Sequence, residues 1–291
     1  MRQSNSIALV TVEAARALDE DLPPLAAALT DAGYEVASPS WRDATVEWSR
    51  YRAAILRSTW DYTDDLPAFL DWARTTAAHT QLINPPQLIE WNTDKHYLLQ
   101  LAAAGVPVIA SQFADQGPWS LPTDGDFVIK PAIGAGSRGA RRFTSQQHAA
   151  AASHALALRA SGHCAMLQPY LASVDSDGET ALVYFAGSFS HAVRKGALLQ
   201  RDGGDVTGLF ATEQISPREP AADELAVGQA AVAAIAGGAP LYARVDLIRD
   251  EAGAPRLLEL ELTEPSLFFN HAPGSARHLA SALTAWLERS A

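Results

Sequence analysis

At 291 residues, 48% hydrophobic and 19% charged, the chain is long enough for two or three small domains and too apolar to be disordered. A net charge of −11 with scattered Lys and Arg argues against a nucleic-acid partner, because phosphate-backbone binding needs clustered cations. The one cysteine, Cys164, rules out an intrachain disulfide and fits a reducing cytoplasm.

The apolar run 7–12 is followed at once by Glu13, so it reads as a strand rather than a signal peptide. Apolar residues at helical spacing predict a helix over 22–32, with Gly33 as its C-cap. Strands are expected at 34–37 and 53–58, a helix at 66–78, and a short strand at 82–84 stopped by Pro85 and Pro86. This alternation implies an open α/β sheet, with ligands at the C-terminal ends of its strands. At one such end stand Arg57, Trp60, Asp61 and Tyr62, a set able to clamp a small zwitterion. The plainer reading is a helix N-cap at Asp61 or Thr63 beside a core tryptophan.

A helix is expected over 93–104, then a strand at 127–130, a glycine-rich loop at 134–139, an extended piece at 140–143 and a helix at 146–160. Residues 166–171 read as strand and hinge. Strands follow at 180–184, 188–193, 243–248 and 256–262, with a last helix near 278–288. The alanine-rich stretch 226–243 contains Gln229 and is broken by Gly237, Gly238 and Pro240, so it reads as a buried helix and turn rather than a membrane span. The weaker alternation of this half suggests α+β architecture.

Gly134, Gly136 and Gly139 match the dinucleotide fingerprint G-x-G-x-x-G. That fingerprint needs a helix opening on the loop and an acid about 20 residues on, whereas position 159 is Arg. The dinucleotide reading, and a nicotinamide oxidoreductase with it, fails on this context. A flap remains, whose backbone N–H groups at Gly134, Gly136 and Ser137 are placed to cover phosphates with help from Arg138. Lys130, four residues earlier on an apolar strand, needs an anionic partner. Glu259 and Glu261 stand at i and i+2 of one strand and therefore share a face. Pairing across the turn at 250–253 would bring Asp246 to them. Three hard oxygen donors on one patch suit Mg²⁺ bridging phosphates, although a solvated strand face carries the same pattern.

Together these residues resemble the ATP-grasp superfamily over about residues 85–291. Asn92-Thr93-Asp94-Lys95 and Phe127-Val128-Ile129-Lys130-Pro131 resemble its two lysine segments, and Gln168-Pro169-Tyr170-Leu171 resembles the adenine hinge. Gly178-Glu179-Thr180 resembles the segment of the glutathione-synthetase branch that meets the ribose, which carries over to Glu179. Glu259-Leu260-Glu261-Leu262-Thr263-Glu264-Pro265-Ser266 resembles that branch's metal-binding run, with Asp246 as the upstream acid. The resemblance implies an N-terminal open α/β (pre-ATP-grasp) domain at 1–91 and two α+β subdomains at 92–167 and 168–291 clamping ATP and Mg²⁺. It assigns Lys95, Lys130, the flap, Gln168, Tyr170, Leu171, Asp175 and Glu179 to ATP, and Asp246, Glu259 and Glu261 to the metal. Arg57, Trp60, Asp61, Tyr62, Glu264 and Ser266 fall on the substrate side. Ala181 departs from the branch, which has arginine there; Lys195 and Arg194 are the candidates to replace that charge.

Arg57 to Tyr62, Trp91 to Lys95, Ser190 to Lys195 and Glu261 to Ser266 resemble one set of bacterial ATP-grasp proteins. That set includes a cyclo-ligase closing O-ureido-D-serine to D-cycloserine in antibiotic biosynthesis. The implied activity is ATP-dependent activation of an amino-acid-like carboxylate through an acyl phosphate, followed by C–N bond formation. Arg244 is expected to orient the acyl phosphate or to pair with Glu259 or Glu261, and His191 to assist proton removal or serve as an ordinary hydrogen-bonding residue. Alternatives are an intermolecular dipeptide-type ligase and a non-catalytic ATP-binding regulatory protein. A cytoplasmic enzyme without a membrane partner is expected. The sequence leaves the oligomeric state open, with a homodimer as one expectation.

Overall fold

The computed structural model describes residues 5–117, 119–199, 209 and 213–289. Its first sheet joins β1 (Ser6–Thr11), β2 (Glu35–Ala37), β3 (Ala53–Ser58) and β4 (Gln81–Ile83) in the order β2-β1-β3-β4, all parallel. Parallel neighbours need crossovers. Here they run through α1 (Glu13–Arg16), α2 (Leu22–Asp31) and α3 (Leu66–Ala77). Strand order reverses between β1 and β3, so the loops leaving these two strands flank the crevice where such sheets take ligands.

The helix expected over 93–104 starts later, as α5 (Tyr97–Ala103), and a helix not expected from the sequence, α4 (Pro86–Thr93), precedes it. Asp94 between them is extended, with φ −109° and ψ 115°. The Asn92 side chain donates to the Leu260 carbonyl (2.7 Å) and accepts from Leu262 N–H (2.7 Å), while the Asp94 carboxylate accepts His96 N–H (3.1 Å). The two Asn92 bonds are long-range, and with the local Asp94 turn they override a helix-favouring pattern.

The second sheet contains β5 (Gln112–Phe113), β6 (Asp126–Pro131), β7 (Arg141–Thr144) and, after α6 (His148–Ala160), β8 (Ala165–Pro169), in the order β5-β8-β6-β7. Gly134 to Gly139 form the β6–β7 connection, as the hairpin reading requires. After α7 (Ser173–Asp177), the third sheet comprises β9 (Glu179–Phe185), β10 (Ser188–Lys195), β11 (Ile215–Pro217), β12 (Tyr242–Arg249) and β13 (Pro255–Glu261). Helix α8 (Ala222–Ala233) packs on it, and the last helix, α9 (Ser275–Arg289), lies against α2.

Leu279, Leu283 and Leu287 of α9 share one buried cluster with Leu25 and Leu29 of α2, Ile7 and Leu9 of β1, and Phe185 of β9. The apolar face of the first sheet is therefore closed by the chain's C-terminal helix. Polar bridges reinforce it: the Asn84 amide donates to the Tyr242 and Leu262 carbonyls, and the Tyr242 hydroxyl donates to the Thr263 carbonyl (3.0 Å). Among the described residues no helix is long and apolar enough to cross a membrane.

Candidate functional site

A cavity of about 410 Å³ lies where the three sheets meet. At one end Ile109, Val128, Ile248 and Leu258 form an apolar floor beside the β8 exit, Gln168 to Leu171. Tyr170 N–H donates to the Asp126 carbonyl (2.9 Å), and the Arg142 guanidinium sits 3.4 Å above the Tyr170 ring, which fixes that exit. Asp175 does not line the cavity: it is largely exposed and accepts from the Tyr170 hydroxyl (2.5 Å), so its expected contact with nucleotide is replaced by a supporting one.

In the middle, the pairing of β12 with β13 sets Asp246 opposite Glu259 and Arg244 opposite Glu261. The two glutamates line the cavity, as their spacing requires. Asp246 behaves differently. It is buried, with Arg244 Nε at 2.9 Å from Oδ1 and Lys195 Nζ at 2.8 Å from Oδ2. Burial works against its charge, but Arg244 and Lys195 prevail and hold its carboxyl down at about 2. The grip expected from three acids thus presents two carboxylates, with the third committed to cations.

Lys195 also meets Glu179 (3.1 Å) and Glu213 (3.4 Å). Ala181 is the register partner of both Val193 and Asp246, so Lys195 brings its ammonium beside the position where the resemblance expects arginine. Arg194 points elsewhere, donating to the Asp177 and Ser176 carbonyls. Arg244 donates to Ser266 O (3.1 Å) as well as to Asp246 and Glu261, which settles its choice between salt bridge partners.

Lys95 and Lys130 approach the glutamates from the opposite wall. Lys95 Nζ lies 3.0 Å from Glu259 and donates to the Gly134 carbonyl (2.7 Å), linking flap to acid patch. Half-buried Lys130 makes no ion pair or hydrogen bond among the described residues, and burial pushes its pKa down, partly offset by Glu259. Gly136 and Ser137 both have φ 61°, a left-handed conformation that glycine adopts freely and serine seldom does. A side chain at Gly134 would meet Pro131 Cγ at 2.9 Å. Arg138 lines the cavity, yet it bonds Asp64 (2.9 Å) and Thr63, so it latches the flap to the first sheet instead of offering a free charge.

The donor set fits a hard divalent cation. Carboxylates outnumber cations around the cavity, and burial first, with Asp246 and Glu259 adding to it, pushes Glu261 up to about 8 against the pull of Arg244. Two carboxylates on one strand face, one of them short of compensation, are what Mg²⁺ neutralises.

At the far end, Trp60, Tyr62, Glu264 and Ser266 line the cavity as expected. Three other expectations are corrected. Arg57 is fully buried, pairing with Asp21 (3.2 Å) and donating to Pro265 O (3.0 Å), so it holds a loop and cannot touch a ligand. Asp61 accepts from Trp41 Nε1 (2.8 Å) and pairs with Arg42. His191 is outside the cavity, with Nε2 against Leu267 O (2.7 Å), because β10 turns it toward the post-β13 loop, so of its two expected roles it takes the ordinary hydrogen-bonding one. Sequence reasoning missed Asp19, Glu20 and Asp21, which follow β1 at the switch point, and Glu213, Phe268, Asn270 and His271. The strand-end rule, applied to β1 as it was to β3, finds the first three. No sequence signal marks the others.

Glu264 supplies a pH test, because burial pushes its carboxyl up to about 7. An unfolded glutamate ionises near 4.5. Between these values the unfolded chain has lost a proton that the folded chain keeps, so stability falls as pH rises through that window. Glu264→Gln should remove this slope. In chemical denaturation with EDTA, the variant should gain about 3 kcal/mol on the parent from pH 4.5 to 7 and hold that lead at higher pH.

Residues 7–84 match a family model described as D-cycloserine synthetase DcsG, N-terminal domain. The chain is 37% identical to the cycloserine biosynthesis protein DcsG of Streptomyces lavendulae over 292 residues, covering 95% of this chain and 97% of that one. The crystal structure of D-cycloserine synthetase DcsG matches with a TM-score of 0.89 at 36% identity, covering 97% of this chain and 99% of that one. D-alanine–D-alanine ligase from Bacillus anthracis, complexed with ATP, matches at 0.67 and 12% identity over 98% of this chain and 97% of that one, a likeness of fold alone.

Proposed function

The chain belongs to the D-cycloserine synthetase family of ATP-grasp ligases, and from that premise we propose that it cyclises O-ureido-D-serine to D-cycloserine at the expense of ATP. One observation carries the ATP-dependent part. Lys95 and Lys130 on one wall face Glu259 and Glu261 on the other, across a cavity with an apolar floor at one end.

A carboxylate is a poor electrophile, and transfer of a phosphoryl group onto it makes an acyl phosphate with a good leaving group. Lys130, with no ion pair among the described residues, can meet phosphate oxygens, and Lys95 stands ready to exchange Glu259 and Gly134 for them. Flap N–H groups at Gly134, Gly136 and Ser137 add donors where charge develops. Glu259 and Glu261 would hold Mg²⁺, which when bound supplies neutralisation of phosphate charge. Arg244, locked by Asp246, presents a fixed cation beside Ser266 toward the acyl end. Trp60, Tyr62, Glu264 and Phe268 enclose the carboxylate substrate. The oxygen-linked nitrogen of the ureido group then attacks the acyl carbon and phosphate leaves; the carbamoyl group on that nitrogen is cleaved by one water and departs as carbamate, which falls apart to CO2 and ammonia. Intramolecular attack gains from proximity what a second substrate would have to supply by binding. A reducing cytoplasm suits a chain with one thiol.

The test is phosphate release with O-ureido-D-serine, ATP and Mg²⁺ and no added amine, with the ring product followed by mass spectrometry. Stoichiometric phosphate and D-cycloserine are expected, and little turnover of the L-enantiomer. Phosphate release that demands a separate amine would replace cyclisation by intermolecular ligation. ATP binding without turnover on any carboxylate would overturn the enzymatic reading.

A further inference from the structure

Behind the Lys95 wall, outside the cavity, three remote segments converge. Phe113 of β5 pairs with Met166 of β8, and Ala114 N–H donates to Ala165 O (3.0 Å), which sets Asp115 beside Cys164. Ala132 N–H donates to Cys164 O (2.8 Å) and Lys95 N–H to Ala132 O (3.0 Å), which brings in His96. An imidazole nitrogen of His96, a carboxylate oxygen of Asp115 and the Cys164 sulfur all lie within 4.8 Å of one another.

The imidazole is fixed before any ligand arrives. Its Nδ1 lies 2.5 Å from Asp94 Oδ1, and its ring stacks on Phe113 with centroids 3.9 Å apart. This leaves Nε2 facing Asp115 at 3.1 Å. A carboxylate behind the non-coordinating nitrogen of a histidine is the usual outer support of a metal-bound imidazole, because it sets the tautomer and the ring direction.

We propose that His96, Asp115 and Cys164 form a second metal site, selective for a zinc-like divalent cation and separate from the carboxylate patch in the cavity. Donor chemistry gives the selectivity. Sulfur and imidazole nitrogen favour zinc over magnesium, whereas Glu259 and Glu261 offer only hard oxygens. The three donors leave a fourth position for water, and the Asp115 side chain, 54% exposed, provides a way in. The alternative is an ordinary His–Asp ion pair at the surface with the Cys164 thiol donating a hydrogen bond to Asp115; the Asp94 carboxylate behind Nδ1 and the convergence of all three donors favour the metal. Coordination would release the thiol proton to solvent and would cross-link the α4–α5 turn, the end of β5 and the start of β8. The turn is the one that carries Lys95. The site therefore positions that lysine and takes no part in the chemistry itself.

The chain has one thiol, which makes the test specific. Metal-free protein is titrated with Co²⁺ in excess Mg²⁺, so that the carboxylate patch is occupied. A thiolate-to-cobalt charge-transfer band saturating at one equivalent and displaced by Zn²⁺ is expected, and Cys164→Ser should abolish it. His96→Gln and Asp115→Asn should each weaken Zn²⁺ binding strongly, and Asp94→Asn by roughly 10–100-fold. Zn²⁺ should raise the melting temperature of the parent and not that of Cys164→Ser, and the same melts show that each variant is folded. Absence of the band overturns the proposal. So does a band that survives His96→Gln and Asp115→Asn, which would mark an isolated surface thiol. Neither result decides whether the chain has ATP-dependent activity, which is tested separately by phosphate release.

Discussion

Lys130→Met should reduce ATP-dependent phosphate release by about 10²–10³-fold while leaving the melting temperature unchanged or higher. The two halves of this expectation come from one fact. Lys130 has no acidic partner among the described residues, and burial already disfavours its ammonium. A methionine of similar length removes that unfavourable burial, so the fold loses nothing. The reaction loses the cation closest to being free for phosphate. Lys130→Arg should not restore activity, since a planar guanidinium on a longer reach does not replace a compact ammonium at the end of β6. Glu259→Gln should also depress phosphate release, and by a different route. It leaves Lys95 facing an amide instead of a carboxylate, and it raises the Mg²⁺ concentration needed for half-maximal rate. Phosphate release above about a tenth of the parental rate in Lys130→Met would remove this lysine from the mechanism.

The parts of this site that were legible in the sequence are those fixed by short periods. Glu259 and Glu261 share a face because a strand repeats every two residues, and the turn at 250–253 returns the chain so that Asp246 and Arg244 meet them in register. Local context alone excludes the dinucleotide fingerprint, and the structure has the β6–β7 hairpin in place of a helix. What the pattern concealed depends on contacts between distant segments. The break at Asp94 exists because Asn92 binds the backbone of β13, some 170 residues away, and propensity within 93–104 carries no trace of that. Without the break, a continuous helix would not place Lys95 where it meets both Glu259 and Gly134. Asp246 shows the same limit. Its presence near the glutamates followed from pairing, whereas its capture by Lys195 required knowing that β9 lies between β10 and β12. Arg57 stands at the right strand end, yet its role is structural, because its partner Asp21 lies between α1 and α2, far from it in sequence.

That pairing underlies the largest expected change in stability. The Asp21 carboxylate accepts N–H bonds from Leu267 (2.5 Å), Phe268 (3.1 Å) and Phe269 (2.9 Å) while pairing with buried Arg57. Phe268 has φ 55°, a left-handed conformation that a phenylalanine holds only when its surroundings enforce it. Asp21→Ala would leave three amides without an acceptor. Arg57 would keep only Pro265 O and an Asp19 oxygen at 3.9 Å. Removing one member of a buried charge pair costs about 3–5 kcal/mol, and for a chain of this size the melting temperature should fall on the order of 10 °C. Asp21→Asn keeps an acceptor oxygen but not the charge, and should fall between parent and Asp21→Ala. Phe268, Asn270 and His271 line the end of the cavity remote from the apolar floor, so on the proposed function their displacement should act on the carboxylate substrate and spare ATP. Below the melting temperature, Asp21→Asn should raise the KM for the carboxylate substrate by more than tenfold with ATP affinity close to parental. Equal losses for both substrates would show that Asp21 supports the fold as a whole and has no particular hold on the substrate end.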